Sequence, residues 1–415
     1  MPSNSELSLL TKCLDLNDVK VINFGFIPEF GLIISVENQC PIVECPKCKS
    51  KTGRVNRNDS QLIRDLPMMG KMVHLNINRR QMRCQKCGHK FVEELSYVKK
   101  NRKFTNRMVE KIIQEVINSD IKNTALNNQV SEQEIQTMLK DKGEELKKGK
   151  PVGLKRLGID EIAWEKGKHN YCAVLVNIET GELLGILEKR NKEELIKYIR
   201  EWGEEVVSGI EEVSIDMWRP YQKVAEEMMP EAEIVVDRFH VMKQINEELD
   251  KARKSAKREI ESSMKKAKSK KNKQALKSQL EILKNSKYVL LKNREDLEEE
   301  EVEKLDDIVK NYGDLGSAYR LKEKLRQIFN SCENWAYGLL RISNWMRKAR
   351  YYLPKSCGVI GRWLGEIVAY FDNGTTQGVV EGINNKLKLI KRRGYGFRNF
   401  DNFVLRCELS FASVS

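Results

Sequence analysis

Leu157-Gly158-Ile159-Asp160-Glu161 lies in the first of three strand-like runs, Leu154 to Ile162, Tyr171 to Ile178 and Leu183 to Leu187. All three are rich in apolar and β-branched residues, and Glu179-Thr180-Gly181-Glu182 joins the last two as an antiparallel hairpin. Asn191 can cap a helix running to about Trp202. Beyond it, Val213-Ser214-Ile215-Asp216 reads as a strand, Arg219 to Met229 as a helix and Ala232 to Asp237 as a further strand.

Three strands, helix, strand, helix, strand is the element order of a ribonuclease H-like core. Asp160 and Asp216 then stand at strand ends. Glu381 lies on a helix-patterned stretch, Gly378 to Arg393, that follows the helix start Asn373-Gly374-Thr375-Thr376. Val380, Ile383, Leu387 and Ile390 form the apolar stripe of that helix. Glu381, Asn385, Lys388 and Arg392 follow another face. Carboxylates from two strand ends and a helix can converge on a pair of divalent ions, the arrangement that two-metal phosphoryl chemistry requires. Any one of these acids alone would read as an ordinary solvated carboxylate. Asp237 also ends a strand and competes for the second position; Asp216 is preferred because the fourth strand supplies that ligand in this fold. Asp237, with Arg238 and His240, is expected to orient DNA or to support the ligands from behind, against the plainer reading of a structural salt bridge.

At 415 residues the chain can hold two to four domains, and its net charge of +14 favours a polyanionic partner. The pI of about 9.1 agrees. Ribosomal and membrane-surface proteins share that bias, so charge alone does not choose among them. No apolar run approaches a membrane span and the N-terminus lacks a signal-peptide pattern, so a cytoplasmic location is expected. In that compartment the ten cysteines read as thiols or metal ligands. Cys13, Cys40, Cys172, Cys332, Cys357 and Cys407 are scattered and read as small packed hydrophobes.

The other four are organised. Cys45-Pro46-Lys47-Cys48 and Cys84-Gln85-Lys86-Cys87 form two CxxC knuckles, which can offer a tetrahedron of thiolates to a structural Zn²⁺. Two unrelated thiol pairs are the alternative. Residues 19–38 read as two short strands around the turn Pro28-Glu29-Phe30-Gly31, and Lys71 to Ile77 has the strand character of a hairpin arm between the knuckles. His74 and His89 are taken as surface histidines. Residues 103–147 read as three helical pieces: one capped by Thr105, a short one from Ile121 to Leu126, and one opened by the capping box Ser131-Glu132-Gln133-Glu134. They suit a helix-turn-helix, with Gln133, Gln136 and Thr137 as candidate DNA contacts, or a plain helical linker.

From His240 to about Arg350 the pattern is helical and heavily charged. Residues 251–287 hold 14 Lys and Arg against 3 Asp and Glu, while Glu295 to Asp307 is acidic. A basic run of this kind is either a solvated helical arm or a DNA contact driven by counterion release. Trp335, Trp345 and Trp363 are expected in the core of this insertion. Near the C-terminus, Lys391-Arg392-Arg393-Gly394-Tyr395-Gly396-Phe397-Arg398 interleaves basic and aromatic residues, a pattern that can grip phosphates and stack on an unpaired base.

Assembled, the chain resembles the ISL-three family of bacterial insertion-sequence transposases, of the DDE type. The resemblance rests on Gly158-Ile159-Asp160-Glu161, Val213-Ser214-Ile215-Asp216-Met217, Val236-Asp237-Arg238-Phe239-His240-Val241, Glu381-Gly382-Ile383-Asn384-Asn385-Lys386-Leu387-Lys388 and Arg393-Gly394-Tyr395-Gly396-Phe397-Arg398-Asn399. The family's hairpin often carries an aspartate where this chain has Asn177.

The resemblance implies an α/β multidomain protein. A ribonuclease H-like catalytic core is interrupted by a mostly helical insertion and preceded by a zinc ribbon and a helix-turn-helix. The divisions expected are 1–100 for the β region with the ribbon, 101–150 for the helix-turn-helix, 151–245 for the first part of the core, 246–370 for the insertion and 371–415 for the core's completion. Asp160, Asp216 and Glu381 look like the family's catalytic acids, holding two Mg²⁺ (or Mn²⁺) ions roughly 3.5–4 Å apart. Cys45, Cys48, Cys84 and Cys87 would hold structural zinc. Gln133, Gln136, Thr137, Arg238, His240, Lys388, Lys391, Arg392, Arg393 and Arg398 would contact double-stranded DNA, as terminal inverted repeats and target. A homo-oligomer on DNA, nucleoid-associated, is implied, with no membrane and no small-molecule substrate. Two alternatives stand beside this reading: a catalytically inactive, transposase-derived DNA-binding protein, and a ribonuclease H-like nuclease without strand transfer.

Overall fold

The computed structural model describes residues 2–146, 149–165, 171–374, 378–397 and 399–412. The chain forms two compact units: Met1–Leu146 with Arg393–Tyr395, and Lys147–Arg392 with Gly396–Ser415. The proposed helix start at Thr375-Thr376, and Arg398, lie outside the described residues.

The N-terminal unit opens with helix α1 (Asn4–Leu14), then strands β1 (Val19–Ile27) and β2 (Gly31–Asn38). Two short strands, β3 (Val43–Glu44) and β4 (Lys51–Thr52), precede the long hairpin of β5 (Val55–Met68) and β6 (Lys71–Arg83), and β7 (Lys90–Val92) follows. The main sheet runs β1-β2-β6-β5, with β7 on β6. Met68 faces Lys71 across a two-residue turn in which Met69 and Gly70 both have positive φ, 48° and 75°. That is the turn geometry whose twist suits a hairpin. It makes the arm far longer than the Lys71 to Ile77 segment visible in sequence. Val21, Ile34, Ile63, Leu75 and Ile77 pack the core beneath. His74 departs from the surface reading: it is half-buried and stacked on Phe30 at 4.1 Å. Three helices close the unit, α2 (Asn106–Asn118), α3 (Ile121–Asn128) and α4 (Glu132–Glu145), each started by a side-chain cap from Thr105, Asp120 or Ser131.

The second unit is built on a five-stranded sheet: β8 (Arg156–Ala163), β9 (Tyr171–Asn177), β10 (Glu182–Leu187), β11 (Glu212–Ile215) and β12 (Glu233–Val236). Its order is β10-β9-β8-β11-β12. β8, β9 and β10 are antiparallel neighbours, while β8, β11 and β12 run parallel. The parallel pairs need crossovers, supplied by α5 (Lys192–Arg200) and α6 (Glu204–Ser208) before β11, and by α7 (Arg219–Met228) before β12. A helical block follows, with α8 (Arg238–Lys266), α9 (Lys270–Ile282), α10 (Ser286–Leu291) and α11 (Glu299–Asn311). It continues through α12 (Gly313–Ser331), α13 (Trp335–Ala349), α14 (Pro354–Arg362) and α15 (Leu364–Asn373). The chain then adds α16 (Gly378–Arg393) and α17 (Phe400–Ala412).

Alternation along the strands divides the core in two. Leu157, Ile159, Val213 and Ile215 join the cluster that continues into the helical block, whereas Ile162, Val174 and Val176 pack with Val380, Leu387 and Phe403 of α16 and α17. Trp345 and Trp363 are buried in the first cluster as expected, but Trp335 is 51% exposed. It opens α13, before the buried stripe Ile342, Trp345 and Ala349 of that helix begins. The scattered cysteines also split: Cys172 and Cys407 are buried, Cys40, Cys332 and Cys357 half-buried, and Cys13 exposed.

Gly158 lets α16 approach β8 closely. A Cβ there would meet Val380 Cγ2 at 2.8 Å and Ile178 Cγ1 at 3.2 Å. Gly158→Ala is therefore expected to destabilise the second unit by about 1–3 kcal/mol through overpacking. Urea denaturation checks this; an unchanged midpoint would mean that α16 shifts freely.

Candidate active site

Strand register determines where the acids fall. Ile159 of β8 pairs with Ile215 of β11, and Ile215 pairs with Val236 of β12. The next residue in each case is an aspartate, so Asp160, Asp216 and Asp237 stand side by side. Asp216 and Asp237 lie just past the ends of β11 and β12, and Asp160 lies within β8, which runs on to Ala163 rather than ending there as expected. The period of two sends Gly158 and Asp160 to the face covered by α16, opposite Leu157 and Ile159.

Asp160, Asp216, Asp237 and Glu381 line one cleft of about 360 Å³, together with His240, Lys243, Asn384 and Lys388. Asp160 Oδ1 accepts a hydrogen bond from its neighbour's amide, Glu161 N, at 2.7 Å, and its Oδ2 accepts one from Asn384 Nδ2 at 2.6 Å. Asp216 Oδ1 is buried and has no hydrogen-bond partner. Asp237 is buried and caps α8, its Oδ1 accepting from Phe239 N at 3.0 Å. Glu381 is exposed, one turn before Asn384 and two before Lys388 on α16. The face presented to the cleft therefore carries Glu381, Asn384 and Lys388, while Asn385, expected on that face, is exposed and does not line the cleft.

Burial raises the pKa of both Asp160 and Asp216, and the Asp160 carboxylate raises that of Asp216 further. For Asp160 the opposing cations are His240, Lys243 and Lys388; for Asp216 they are His240, Arg190 and Lys243. An acid whose folded pKa is raised binds more protons in the folded state, so stability falls as pH rises through the window between the unfolded and folded values. The cation-free protein should accordingly lose stability above about pH 4. Asp216→Asn should raise its melting temperature at neutral pH and have no such effect below that window. Thermal unfolding in a chelator for magnesium, at both pH values, checks this.

Arg190 and Lys243 carried no signal in a single sequence. Arg190 pairs with Glu161 and stacks between Tyr171 and Trp218, its guanidinium carbon 4.9 and 4.4 Å from their ring centroids. Lys243 stands one turn beyond His240 on α8. Among the other expected DNA contacts, Gln133 and Gln136 are exposed on α4, whereas the Thr137 hydroxyl donates to Gln133 O at 2.9 Å. Arg238 donates to Asn330 Oδ1 at 2.9 Å, and Lys391 donates to Ala163 O at 2.6 Å, tying α16 to the end of β8. Arg392 and Arg393 are exposed in the last turn of α16, and Tyr395 beyond them is 86% exposed.

The N-terminal unit holds a second constellation. Cys45, Cys48, Cys84 and Cys87 place their sulfurs within 4.8 Å of one another. Cys45 and Cys87 are 3.7 Å apart, and Cys48 and Cys84 3.5 Å. A tetrahedral zinc with 2.3 Å bonds needs sulfurs about 3.8 Å apart, so the donor set fits. The two knuckles repeat one turn: Lys49 N donates to Cys45 O at 2.9 Å and Gly88 N to Cys84 O at 3.0 Å. Lys49 and Gly88 have matching φ values of 58° and 70°. The Ser50 hydroxyl draws the Cys84 thiol down to about 5. Despite a lowering hydrogen bond from the His89 backbone, Cys87 is pushed up to about 11 by burial and by the neighbouring thiols. Crowded thiolates of this kind are held together by a cation. His89 is exposed and outside the sulfur cluster.

Comparison with known proteins gives family models over both regions. A transposase family model of the ISL-three type matches residues 157–407, and a model described as the zinc-finger of transposase IS204/IS1001/IS1096/IS1165 matches residues 43–87. The latter makes the four-cysteine cluster a zinc ribbon. The transposase for insertion sequence element IS1001 of Bordetella parapertussis is 25% identical over 391 residues, covering 92% of each chain. The transposase for insertion sequence element IS1557 of Mycobacterium tuberculosis is 31% identical over 271 residues, 63% of this chain and 61% of its own. With the sheet, the acidic cleft and the ribbon in place, the chain belongs to the ISL-three family of transposases.

Proposed function

We propose that this transposase is a divalent-metal-dependent polynucleotidyl transferase with a ribonuclease H-like core, which cleaves DNA at terminal inverted repeats and joins the freed end to a target. The observation that carries this reading is the in-register placement of Asp160 on β8 beside Asp216 at the end of β11, in a cleft ringed by His240, Lys243 and Lys388. Oxygen donors suit Mg²⁺ or Mn²⁺. Asp216 Oδ1, a buried acceptor without a donor, marks a place where a cation would complete the site.

Asp160 and Asp216 would hold two ions from the sheet, with Glu381 joining from α16. Bound there, Mg²⁺ would supply Lewis-acid activation of the attacking oxygen and stabilisation of the leaving 3′-oxygen. His240, Lys243 and Lys388 would draw a phosphodiester into the cleft, and the wall of α16 would orient it. No residue needs to form a covalent bond to DNA, so exposed Tyr395 is left to stack on a base rather than to act as a nucleophile. The ribbon and α2 to α4, as a helix-turn-helix, would bind the repeats, with Gln133 and Gln136 reading base edges. The basic length of α8 and α9, with Arg392, Arg393 and Arg398, would add sequence-independent affinity. The protein would act as a homo-oligomer on paired ends, in the cytoplasm at the nucleoid. Among the described residues, no helix is long and apolar enough to cross a membrane.

A pre-cut duplex carrying the inverted repeat with a labelled 3′-hydroxyl, incubated with supercoiled plasmid and Mg²⁺, tests the reading. Label joined to the plasmid is expected. Nicking without joining would favour a nuclease, and binding alone an inactive DNA-binding protein.

A further inference from the structure

We propose that Asn384 is the positioning residue of the cation site, fixing the Asp160 carboxylate through its amide nitrogen and turning its amide oxygen to the cation's surroundings. This inference rests on the reading that Asp160 and Asp216 bind a divalent cation. Asn384 is 3% exposed, lines the acidic cleft, and donates from Nδ2 to Asp160 Oδ2 at 2.6 Å. An ionised carboxylate only accepts hydrogen bonds, so the NH₂ end must face it, and the carbonyl end is left over. That Oδ1 is buried and has no hydrogen-bond partner. Asp216 Oδ1, in the same cleft, is in the same condition.

An isolated buried acceptor is a cost that folded proteins rarely carry. Two of them in one cleft, beside the Asp160 carboxylate held by hydrogen bonds, describe an oxygen-lined place for a cation and its water. Asp160 is held from both sides: Glu161 N fixes one oxygen and Asn384 the other. The strand supplies a hydrogen bond to one oxygen only, and the helix residue, holding the other, fixes the plane of the carboxylate. α16 thereby has a second task besides carrying Glu381. Close packing of Val380 over Gly158 sets the height at which Asn384 meets Asp160.

The test uses full-length, zinc-loaded protein and titrates Mn²⁺ by calorimetry, in wild type, Asp160→Asn and Asn384→Leu, with Asn385→Leu as the exposed neighbour. Asn384→Leu keeps the branched heavy-atom outline, with somewhat greater bulk, and removes both polar ends. Its Mn²⁺ affinity is expected to fall about 10- to 100-fold, the usual consequence of losing a partner that orients a ligand. Asn385→Leu should match wild type. Binding of repeat DNA by the zinc-loaded protein, with no Mn²⁺ or Mg²⁺ added and no chelator present, should be unchanged in all four. Asn384→Ser, small and polar, carries the same expectation should leucine disturb the fold. Affinity of both Asn384 variants within twofold of wild type, with Asp160→Asn strongly weakened, would overturn the role of Asn384 and leave the cation site standing. Unchanged affinity in Asp160→Asn would overturn the site itself, and the role of Asn384 with it.

Discussion

Asp216→Asn is expected to lower both end cleavage and strand transfer by at least about 10³-fold while leaving repeat binding intact. A metal-bound oxygen at a phosphoryl centre is worth several kcal/mol of transition-state stabilisation, and about 4 kcal/mol corresponds to that factor. The substitution is nearly isosteric and removes a half-buried negative charge whose pKa burial raises. Folding is therefore not at risk, and stability should rise in the absence of cation. Asp237→Asn gives the contrast. Asp237 caps α8 through its carboxylate, and asparagine is an equally good cap. That variant should keep most of its activity. Quantifying joined product for both variants, beside gel shifts on the repeat, separates the two aspartates. Equal losses in both would mean that Asp237 is needed as well, and loss in Asp237→Asn alone that it supplies the ligand instead.

The second large effect concerns zinc. Chelation, or Cys84→Ser, should unfold the ribbon and abolish binding to the repeats. Structural zinc in small finger peptides is worth about 10–16 kcal/mol, and little else holds these knuckles. β3 and β4 pair over two residues each, and β7 adds three. The sheet core of Val21, Ile34, Ile63 and Leu75 does not depend on the cluster. Hydrogen exchange should therefore show lost protection from Val43 to Thr52 and from Cys84 to Val92, with Ile63 and Leu75 still protected. Uniform loss across the unit would mean that the metal supports the whole sheet.

Much of this was legible because particular residues leave particular patterns. Glu179-Thr180-Gly181-Glu182 between two apolar runs announced the hairpin that became β9 and β10, and Asn191 capped α5 as its position suggested, accepting from Glu194 N at 3.1 Å. CxxC spacing announced the ribbon before any geometry. Asp216 is visible as an acid ending an apolar run and Asp160 as an acid within a strand-like one, and register makes them neighbours.

What sequence could not supply was side-chain direction. A four-three-four spacing placed Asn385 with Glu381 and Lys388, yet the cleft takes Asn384, because the pitch at which α16 lies on β8 depends on Gly158 and Val380 meeting across the sheet. Lys391 looked like a phosphate contact, and its ammonium instead donates to Ala163 O. Arg190 sits in a loop after β10 with no periodicity to flag it, and only folding brings Tyr171 and Trp218 around it. Trp335 looked like core because tryptophan usually is, but it opens α13 ahead of that helix's buried stripe. The Met69-Gly70 turn carries little signal in sequence because methionine is an unusual residue at positive φ, and the arm's full length shows only in the fold.

The central claim is that the cleft at Asp160 and Asp216 binds the catalytic cation. The most direct measurement is anomalous diffraction at the manganese edge, from crystals of the full-length protein on its repeat DNA grown with Mn²⁺. Manganese density bounded by Asp160 and Asp216, and absent in Asp216→Asn crystals, is the result predicted. Anomalous density confined to the four cysteines, with none in the cleft, would contradict the account.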